Sequence, residues 1–278
     1  HAASAGGGIA ASNGAHVTMQ RDYPNGPSTF NCPAWRECSR FSGNSVAAGA
    51  QGTHGGAIAL YAGARADIAQ TIFRDNIAAD GAAAWVDSAT FNTESVLFSG
   101  NHSYDSPTHG SAVIRALYQA PAAPPQLRLA FVTFAGNLGT SSTSETHASN
   151  DILAMQNSTL ALHSVALYDS PYTPTTYSAY TDDCVVRTTG GSMPDPYGTH
   201  TRTTVSETPG FNQAANGDFR LRSHSLLTDY CDASAYQPQT RDLVLTPRCQ
   251  DDPRKPDAYG RCDVGAYESD QIFDNGMD

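Results

Sequence analysis

The sequence predicts an all-β protein, a right-handed parallel β-helix closed by a loop-rich, disulfide-bonded C-terminal cap. Two observations predict this fold. Two short phrases recur along the first 170 residues, and the segments between them alternate apolar and polar residues with the period of a strand. A repeat of about 25 to 36 residues with two or three short strands cannot bury its inner face alone. Successive repeats must therefore stack.

The first phrase is Phe-x-x-Asn, which occurs four times and returns in a degenerate form at 166–170. Equal positions of stacked repeats lie about 4.8 Å apart. We therefore expect the phenylalanines to stack in the core and the asparagine side chains to form a hydrogen-bonded ladder at a corner. The residues of this structural ladder are Phe41, Asn44, Phe73, Asn76, Phe98, Asn101, Phe134 and Asn137.

The second phrase is Gly-Gly-Ala-Ile at 55–58, with weaker copies at 6–11, 81–86, 110–114 and 150–155. Alternating strands are predicted between the phrases, at 66–73, 127–134 and 160–165. A β-sandwich or a β-propeller competes with this interpretation. A propeller blade needs four strands in about 40–45 residues, and these units are shorter and less even.

The composition changes after residue 170, where tyrosines, prolines and four cysteines cluster. We therefore divide the chain into β-helix coils at 1–170 and a terminal region at 171–278, which holds the last coil or coils and a capping module. We expect the module to cover the last coil, because an open end leaves unpaired sheet edges.

Six cysteines without a Cys-x-x-Cys pair favour disulfides in an oxidising compartment over a zinc site. Cys32 and Cys38 flank a short turn and could close it. The other four allow three pairings, of which we favour the following: Cys231 with Cys249 and Cys184 with Cys262.

The charge balance excludes several partners. Sixteen basic residues against 27 acidic ones give a net charge of −11, and Lys255 is the one lysine. A nucleic-acid or anionic-membrane binder normally carries the opposite sign. No apolar run approaches the roughly 20 residues that cross a bilayer, so we expect neither nucleic-acid binding nor membrane insertion.

The quoted phrases resemble two groups of proteins. Residues 55–58 together with the Phe-x-x-Asn copies resemble the repeats of chlamydial polymorphic outer-membrane proteins over about 6–170. The segments 217–221, 260–261 and 263–268 resemble the tail of secreted bacterial right-handed β-helix proteins. The resemblance implies an extracellular or cell-surface location, adhesion and self-association.

The predicted function is non-catalytic: adhesion, self-assembly into filaments, or both. The partners would be other copies of the chain, and surface glycans or host or matrix proteins. The first strand phrase begins at Gly6 without a comparable cap, so we expect an open end there that another copy could cover. A carbohydrate-binding module using Trp35 is a further possibility, whereas Trp85 lies in a repeat strand and is expected in the core.

A polysaccharide-active enzyme is the alternative. Asp182 and Asp183 stand in an Asp-Asp-Cys-Val phrase that resembles polygalacturonases. The Gly-His-Gly and Arg-x-Lys motifs of those hydrolases are missing, and His200 is a poor substitute. A capping turn beside a disulfide is therefore the preferred interpretation of the two aspartates.

A lyase mechanism would need calcium-binding carboxylates and a basic residue. Arg65, Arg115 and Arg128 have no acidic cluster beside them in the repeats, so ordinary surface arginines are expected. No cofactor is expected. Calcium is a weak possibility at an acidic loop, for which a solvated loop is the default; its residues are Asp251, Asp252 and Asp257.

Overall fold

The computed structural model describes most of the repeat region and much of the C-terminal segment. The described residues are 6–19, 39–46, 53–104, 112–119, 121–140, 146–148, 150–154, 157–168, 179–187, 200, 202–203, 210–222, 224–232 and 241–269. They form strands and one 3-10 turn. The strands are β1 (Ile9–Ala11), β2 (His16–Met19), β3 (Arg40–Ser42), β4 (Ile58–Tyr61), β5 (Arg65–Ala69), β6 (Ile72–Arg74), β7 (Ile77–Ala78), β8 (Ala84–Asp87), β9 (Thr90–Ser99), β10 (His102–Tyr104), β11 (Ala112–Leu117), β12 (Gln126–Ala135), β13 (Leu138–Thr140), β14 (Thr146–Ala148), β15 (Asn150–Ala154), β16 (Thr159–Tyr168), β17 (Ala179–Arg187), β18 (Arg202–Thr203), β19 (Phe211–Gln213) and β20 (Asp218–Leu221); the 3-10 turn is Ala214–Asn216.

Three sheets are built from strands that lie far apart in sequence. The first sheet has the order β1-β4-β8-β11-β15, and the second runs β2-β5-β9-β12-β16-β17-β18, with β3 and β6 paired beside β9. The third sheet is β7-β10-β13-β14. Every pairing in these sheets is parallel except that of β13 with β14. The predicted all-β class with parallel strands is confirmed.

The phenylalanines of the first phrase form one file. The rings of Phe41 and Phe73 lie 4.9 Å apart, those of Phe73 and Phe98 4.9 Å, and those of Phe98 and Phe134 4.8 Å. The strand registers place these residues directly opposite one another, and Leu167 follows Phe134. Each ring thus buries its face against the next, which is the spacing that hydrogen-bonded strands impose.

The asparagines of the first phrase form a parallel file beside the rings. The Nδ2 of Asn44 donates to Oδ1 of Asn76 at 2.9 Å, Asn76 to Asn101 at 2.9 Å, and Asn101 to Asn137 at 3.0 Å. Each Oδ1 also accepts the backbone N–H of the preceding asparagine in this series. Buried amide groups need hydrogen-bond partners. The ladder supplies them for the asparagine side chains and for the backbone N–H groups at this corner.

A second repeated corner lies within the second sheet. One residue at the same level of each successive strand has a positive φ; the row consists of Gln70, Ser95, Phe131, Ser164 and Cys184. The registers on either side continue through this row without a shift. The left-handed conformation therefore bends every strand at the same level, and it separates β5 from β6.

The C-terminal segment packs along this row of left-handed residues. Gln70 donates from Nε2 to the carbonyl of Asp242 at 3.3 Å. The guanidinium of Arg248 donates to Oγ of Ser95 at 3.0 Å and lies 4.4 Å from the centre of the Phe131 ring. These contacts attach the segment to the side of β5, β9 and β12.

The same segment reaches β16 and β17. The Oγ of Ser164 donates to the carbonyl of Asp263 at 3.2 Å, and Cys184 is disulfide-bonded to Cys231. The expectation that this region covers the end of the stack stays a prediction. The contacts of the described residues run along the side of the second sheet, because the left-handed row offers carbonyls, hydroxyls and a ring on five successive strands.

The disulfide pairing differs from the one that the sequence favoured. The described cysteines pair as Cys184 with Cys231 and Cys249 with Cys262. Cys231 and Cys262 instead exchange backbone hydrogen bonds of 2.9 and 3.0 Å. The expected pairing was therefore wrong. The spacing of the cysteines along the sequence does not show that the backbones of Cys231 and Cys262 pair with each other. Cys32 and Cys38 lie outside the described residues.

Two disulfides are typical of proteins from an oxidising environment. Among the described residues, no helix has the length and apolar character needed to cross a membrane. The hydrophobic core lies between the first and second sheets, and a second cluster lies between the second sheet and the C-terminal segment.

Candidate functional site

The outer face of the second sheet carries polar and charged side chains. In β5, Arg65 and Asp67 point outward, while Ala66 and Ile68 point into the core. The register continues from Asp67 to Asn92 in β9. Residues at alternate positions thus form files that run across the strands on the outside.

An open groove of about 220 Å³ lies on this face. Half of the residues that line it carry charged or amide side chains: Arg65, Asp67, Asn92, Glu94 and Arg128. Of these side chains, Asp67 accepts several hydrogen bonds within the described residues. It accepts hydrogen bonds of 2.7 and 2.8 Å from Arg65, 2.7 Å from Asn92 and 2.5 Å from the His16 ring.

Those hydrogen bonds fix the charge of Asp67. Partial burial would raise the pKa of this carboxyl, but the bonds from Arg65, Asn92 and His16 outweigh it and hold the pKa at about 2. Asp67 is therefore an anion at every physiological pH. It can hold a ligand or a neighbouring cation, but it cannot deliver a proton as a general acid.

A second polar centre lies farther along the same face, on β16 and β17. Asp183 sits between two imidazoles: its Oδ2 lies 3.4 Å from Nδ1 of His163, and its Oδ1 lies 3.1 Å from Nδ1 of His200. His163 and Asp183 are opposite each other in register. Burial lowers the pKa of His163, although the carboxylate of Asp183 acts in the opposite direction.

The three residues of the enzyme alternative are not brought together. Asp183 and His200 are in contact, but Asp182 is 6% exposed and lies opposite Leu162, whose side chain is in the core. Consecutive strand residues point to opposite faces. Glycoside hydrolysis by two carboxylates requires both to flank the same bond, and this pair does not.

Aromatic rings adjoin Asp183 and His200. The His200 ring lies 4.2 Å from that of Tyr259, and Tyr230 meets Tyr259 edge-on at 5.3 Å. The Tyr230 hydroxyl donates to the backbone carbonyl of His200 at 3.1 Å. The sequence showed only that tyrosines are frequent after residue 170. The convergence of two of them on His200 depends on how the C-terminal segment docks, which no local pattern indicates.

The acidic loop that the sequence suggested for calcium is divided in the structure. Oxygens of Asp251 and Asp257 lie within 4.8 Å of one another and of an oxygen of Asp229, a group that could hold a metal ion. The carboxylate of Asp252 is not part of this group; it is buried and accepts a hydrogen bond from Arg254 at 3.1 Å, while the backbone N–H of Asp252 donates to Asp229 at 3.2 Å. Calcium binding stays a prediction.

Buried carboxyls accumulate where the C-terminal segment packs on the sheet. Burial raises the pKa of Asp242 to about 6, against the pull of Arg248. Burial and the neighbouring Asp263 raise that of Asp229 to about 7. Burial also raises the pKa of Asp263 and, with Asp263 as a like charge, raises that of Glu268 well above its ordinary value.

Other residues singled out from the sequence have structural positions. Trp85 is 5% exposed and stacks on the His54 ring at 3.7 Å, as expected for a core residue. Arg115 was expected on the surface, but it is 1% exposed and lies 3.5 Å from Asp80. A guanidinium buried to this extent needs a buried partner of opposite charge, and Asp80 is in that position. Trp35 lies outside the described residues.

No protein-family model, curated protein or solved structure matches this chain. The likeness to surface-protein repeats therefore stays a prediction from the phrases themselves.

Proposed function

We propose that the three sheets are the faces of a right-handed parallel β-helix, and that the protein is a non-catalytic extracellular protein that assembles through the end of this helix. The chain passes through the sheets in a constant order: β8, β9 and β10 belong to the first, second and third sheets, and so do β11, β12 and β13. Crossovers between parallel strands are right-handed in nearly all proteins, which supports the proposed hand.

The observation that carries the assembly proposal is the incomplete burial of core positions in the first strands. Ile9 and Val17 are half-buried, whereas Ile58 and Ala66, their register partners one strand farther, are fully buried. Met19 is also half-buried and packs against the same core.

Among the described residues, β1, β2 and β3 each pair with a strand on one side only. An apolar cross-section beside unpaired N–H and C=O groups is a surface that another set of strands can cover. A second copy suits this surface, because the phrases that stack one repeat of this chain on the next would stack repeats of two copies. Such a contact joins unlike ends, and it yields filaments if it does not close.

The disulfides and the net charge support the proposed location and partners. Two disulfides suit an oxidising compartment. A net charge of −11 keeps the surface away from nucleic acid and anionic membranes. Adhesion to surface glycans or to host or matrix proteins is the proposed use of the remaining surface.

The experiment substitutes an inward and an outward residue of the same strand. Val17→Glu places a charge in the half-buried cross-section, while Thr18→Glu, on the exposed side of β2, is the matched control. We expect sedimentation velocity and negative-stain electron microscopy to show concentration-dependent filaments for the wild type and for Thr18→Glu. Val17→Glu should stay monomeric with unchanged circular dichroism. A wild-type protein that is monodisperse at all concentrations would overturn the proposal.

The polysaccharide-active alternative makes a different prediction. The opposite orientations of Asp182 and Asp183 support the non-catalytic choice, since only Asp183 faces the polar surface. A reducing-sugar assay and an unsaturated-product assay on acidic and neutral glycans test this choice. Turnover that disappears in Asp183→Asn would replace the non-catalytic proposal with an enzyme.

A further inference from the structure

The Tyr259 ring is held in place and yet exposed. Tyr259 is 50% exposed, and among the described residues Leu138 is the other large hydrophobic side chain on the surface. His200 packs on its ring at 4.2 Å, and Tyr230 supports it from the edge at 5.3 Å. A fixed aromatic face in water is a surface on which an apolar face of a ligand can stack without ordering a side chain first.

Hydrogen-bonding groups lie directly beside this ring. His200 connects it to Asp183, whose two oxygens approach His200 at 3.1 Å and His163 at 3.4 Å. The Asp183 side chain is about one-quarter exposed. A carboxylate accepts several hydrogen bonds, and an imidazole donates or accepts one at each nitrogen. The centre therefore combines a flat apolar surface with closely spaced polar atoms.

We propose that Tyr259, His200 and Asp183 form a binding subsite for a neutral pyranose unit of a glycan. The C–H face of the sugar ring stacks on the phenol of Tyr259. Vicinal hydroxyls at its edge donate to Asp183 and exchange hydrogen bonds with His200. This arrangement follows the common pattern of ligand sites, an apolar surface with a few convergent polar groups.

The surrounding charges select a neutral sugar over a uronic acid. Asp183 belongs to the subsite, Asp232 acts on the same His163, and Asp257 precedes Tyr259 by two residues within the acidic group. Among the described residues, the cations that act here are Arg128 on His163 and Lys255 on Asp229 of that acidic group. A sugar carboxylate at Tyr259 would meet mainly like charges, and repulsion of this kind discriminates between otherwise similar ligands.

The outer face of the second sheet connects this subsite to the groove described above, so a longer glycan could contact both. Arg128 lies on β12, which pairs with β16, and β16 pairs with the β17 strand of Asp183. Two strand spacings of about 4.8 Å separate the subsite from the groove that begins at Arg128. A chain lying across the strands would therefore continue into that groove. Binding here does not depend on assembly through the first strands.

Isothermal titration with soluble hexasaccharides tests the proposal. The neutral probes are cellohexaose, xylohexaose and mannohexaose, and hexagalacturonate is the acidic probe. We expect at least one neutral probe to bind and hexagalacturonate to bind more weakly. Tyr259→Ala and Asp183→Asn should each weaken binding about tenfold or more. Tyr259→Phe should retain it, since the ring is kept.

Tyr118→Ala is the matched control, because this half-buried tyrosine follows β11 of the first sheet and should leave binding unchanged. The proposal is overturned if no neutral probe binds, if hexagalacturonate binds more tightly, or if Tyr259→Ala binds like the wild type. Equal circular dichroism and Tm of Tyr259→Ala and Tyr259→Phe exclude misfolding. Val17→Glu should bind the sugar as a monomer, so failure of assembly and failure of glycan binding are separate results.

Discussion

The guanidinium of Arg248 lies over the ring of Phe131, 4.4 Å from its centre. Phe131 is one of the left-handed residues at which the strands of the second sheet bend. Arg248 also donates to Ser95 and to the carbonyl of Ala266, each at 3.0 Å, and lies 3.4 Å from Glu268. One buried cation thus joins two strands of the sheet to the stretch 266–268 of the C-terminal segment.

Arg248→Ala should therefore destabilise the protein strongly. It removes the cation–π contact and leaves Glu268 buried without its cation, a loss of about 3 kcal/mol or more in the free energy of unfolding. Arg254→Ala is the matched control: its side chain is 51% exposed and pairs with Asp252, so the expected loss is at most about 1 kcal/mol. Urea denaturation measures both. Equal effects would show that Arg248 does not anchor the segment.

The asparagine ladder gives a second prediction. Asn101 donates to Asn137 and to the carbonyl of Phe73, and accepts from Asn76. Asn101→Ala leaves several buried donors and acceptors unsatisfied, which should cost about 3 kcal/mol of unfolding free energy. Asn44→Ala removes a half-buried residue from the end of the ladder and should cost about 1 kcal/mol. If chemical denaturation shows a larger loss for Asn44→Ala than for Asn101→Ala, then the buried hydrogen bonds of the ladder do not determine the cost of removing an asparagine.

The repeat region could be predicted in part because its signals are local and recur. Phe73, Phe98 and Phe134 stand at one level, and the strands expected at 127–134 and 160–165 lie within β12 and β16. Period-two alternation and a repeated phrase are enough to align such strands. The same reasoning identified the positions of the asparagine corner.

The left-handed row could not be predicted because its residues carry no turn signal. Glycine and asparagine usually mark a positive φ, yet Gln70, Phe131 and Cys184 adopt one here. These conformations are held by stacking on neighbouring strands and by the C-terminal segment, which are long-range contacts. The convergence of Tyr230 and Tyr259 on His200 depends on the same kind of long-range contact.

The two described disulfides should differ in their contribution to stability. Cys184 and Cys231 are 47 residues apart, whereas Cys249 and Cys262 are 13 apart. The loop-closure model predicts losses of about 4 and about 3 kcal/mol when each pair is replaced by alanine. Peptide mapping under non-reducing conditions should first find these two linkages. Calorimetry that shows the 249–262 pair to be the more stabilising would contradict the loop-closure argument.

Stability should fall as the pH rises from about 4 to about 7. The pKa values of Asp242 and Asp229 are raised from 3.8 to about 6 and about 7, so the folded state binds protons more tightly than the unfolded state does. This contribution is complete below the unfolded pKa and is lost as pH rises through the folded one. A shift of roughly two pKa units at Asp242 corresponds to about 3 kcal/mol.

Acidification below pH 4 should act in the opposite direction. The pKa values of Asp67 and Asp218 are lowered to about 2, so their contribution is present above the ordinary value and is lost as pH falls through the folded one. Urea midpoints should therefore be highest near pH 4. Glu268→Gln removes a buried titratable group whose pKa is raised, and it should flatten the decline between pH 4 and 7. A wild-type midpoint that rises with pH over this interval would mean that Arg248 and the backbone N–H groups stabilise these carboxylates more than burial penalises them.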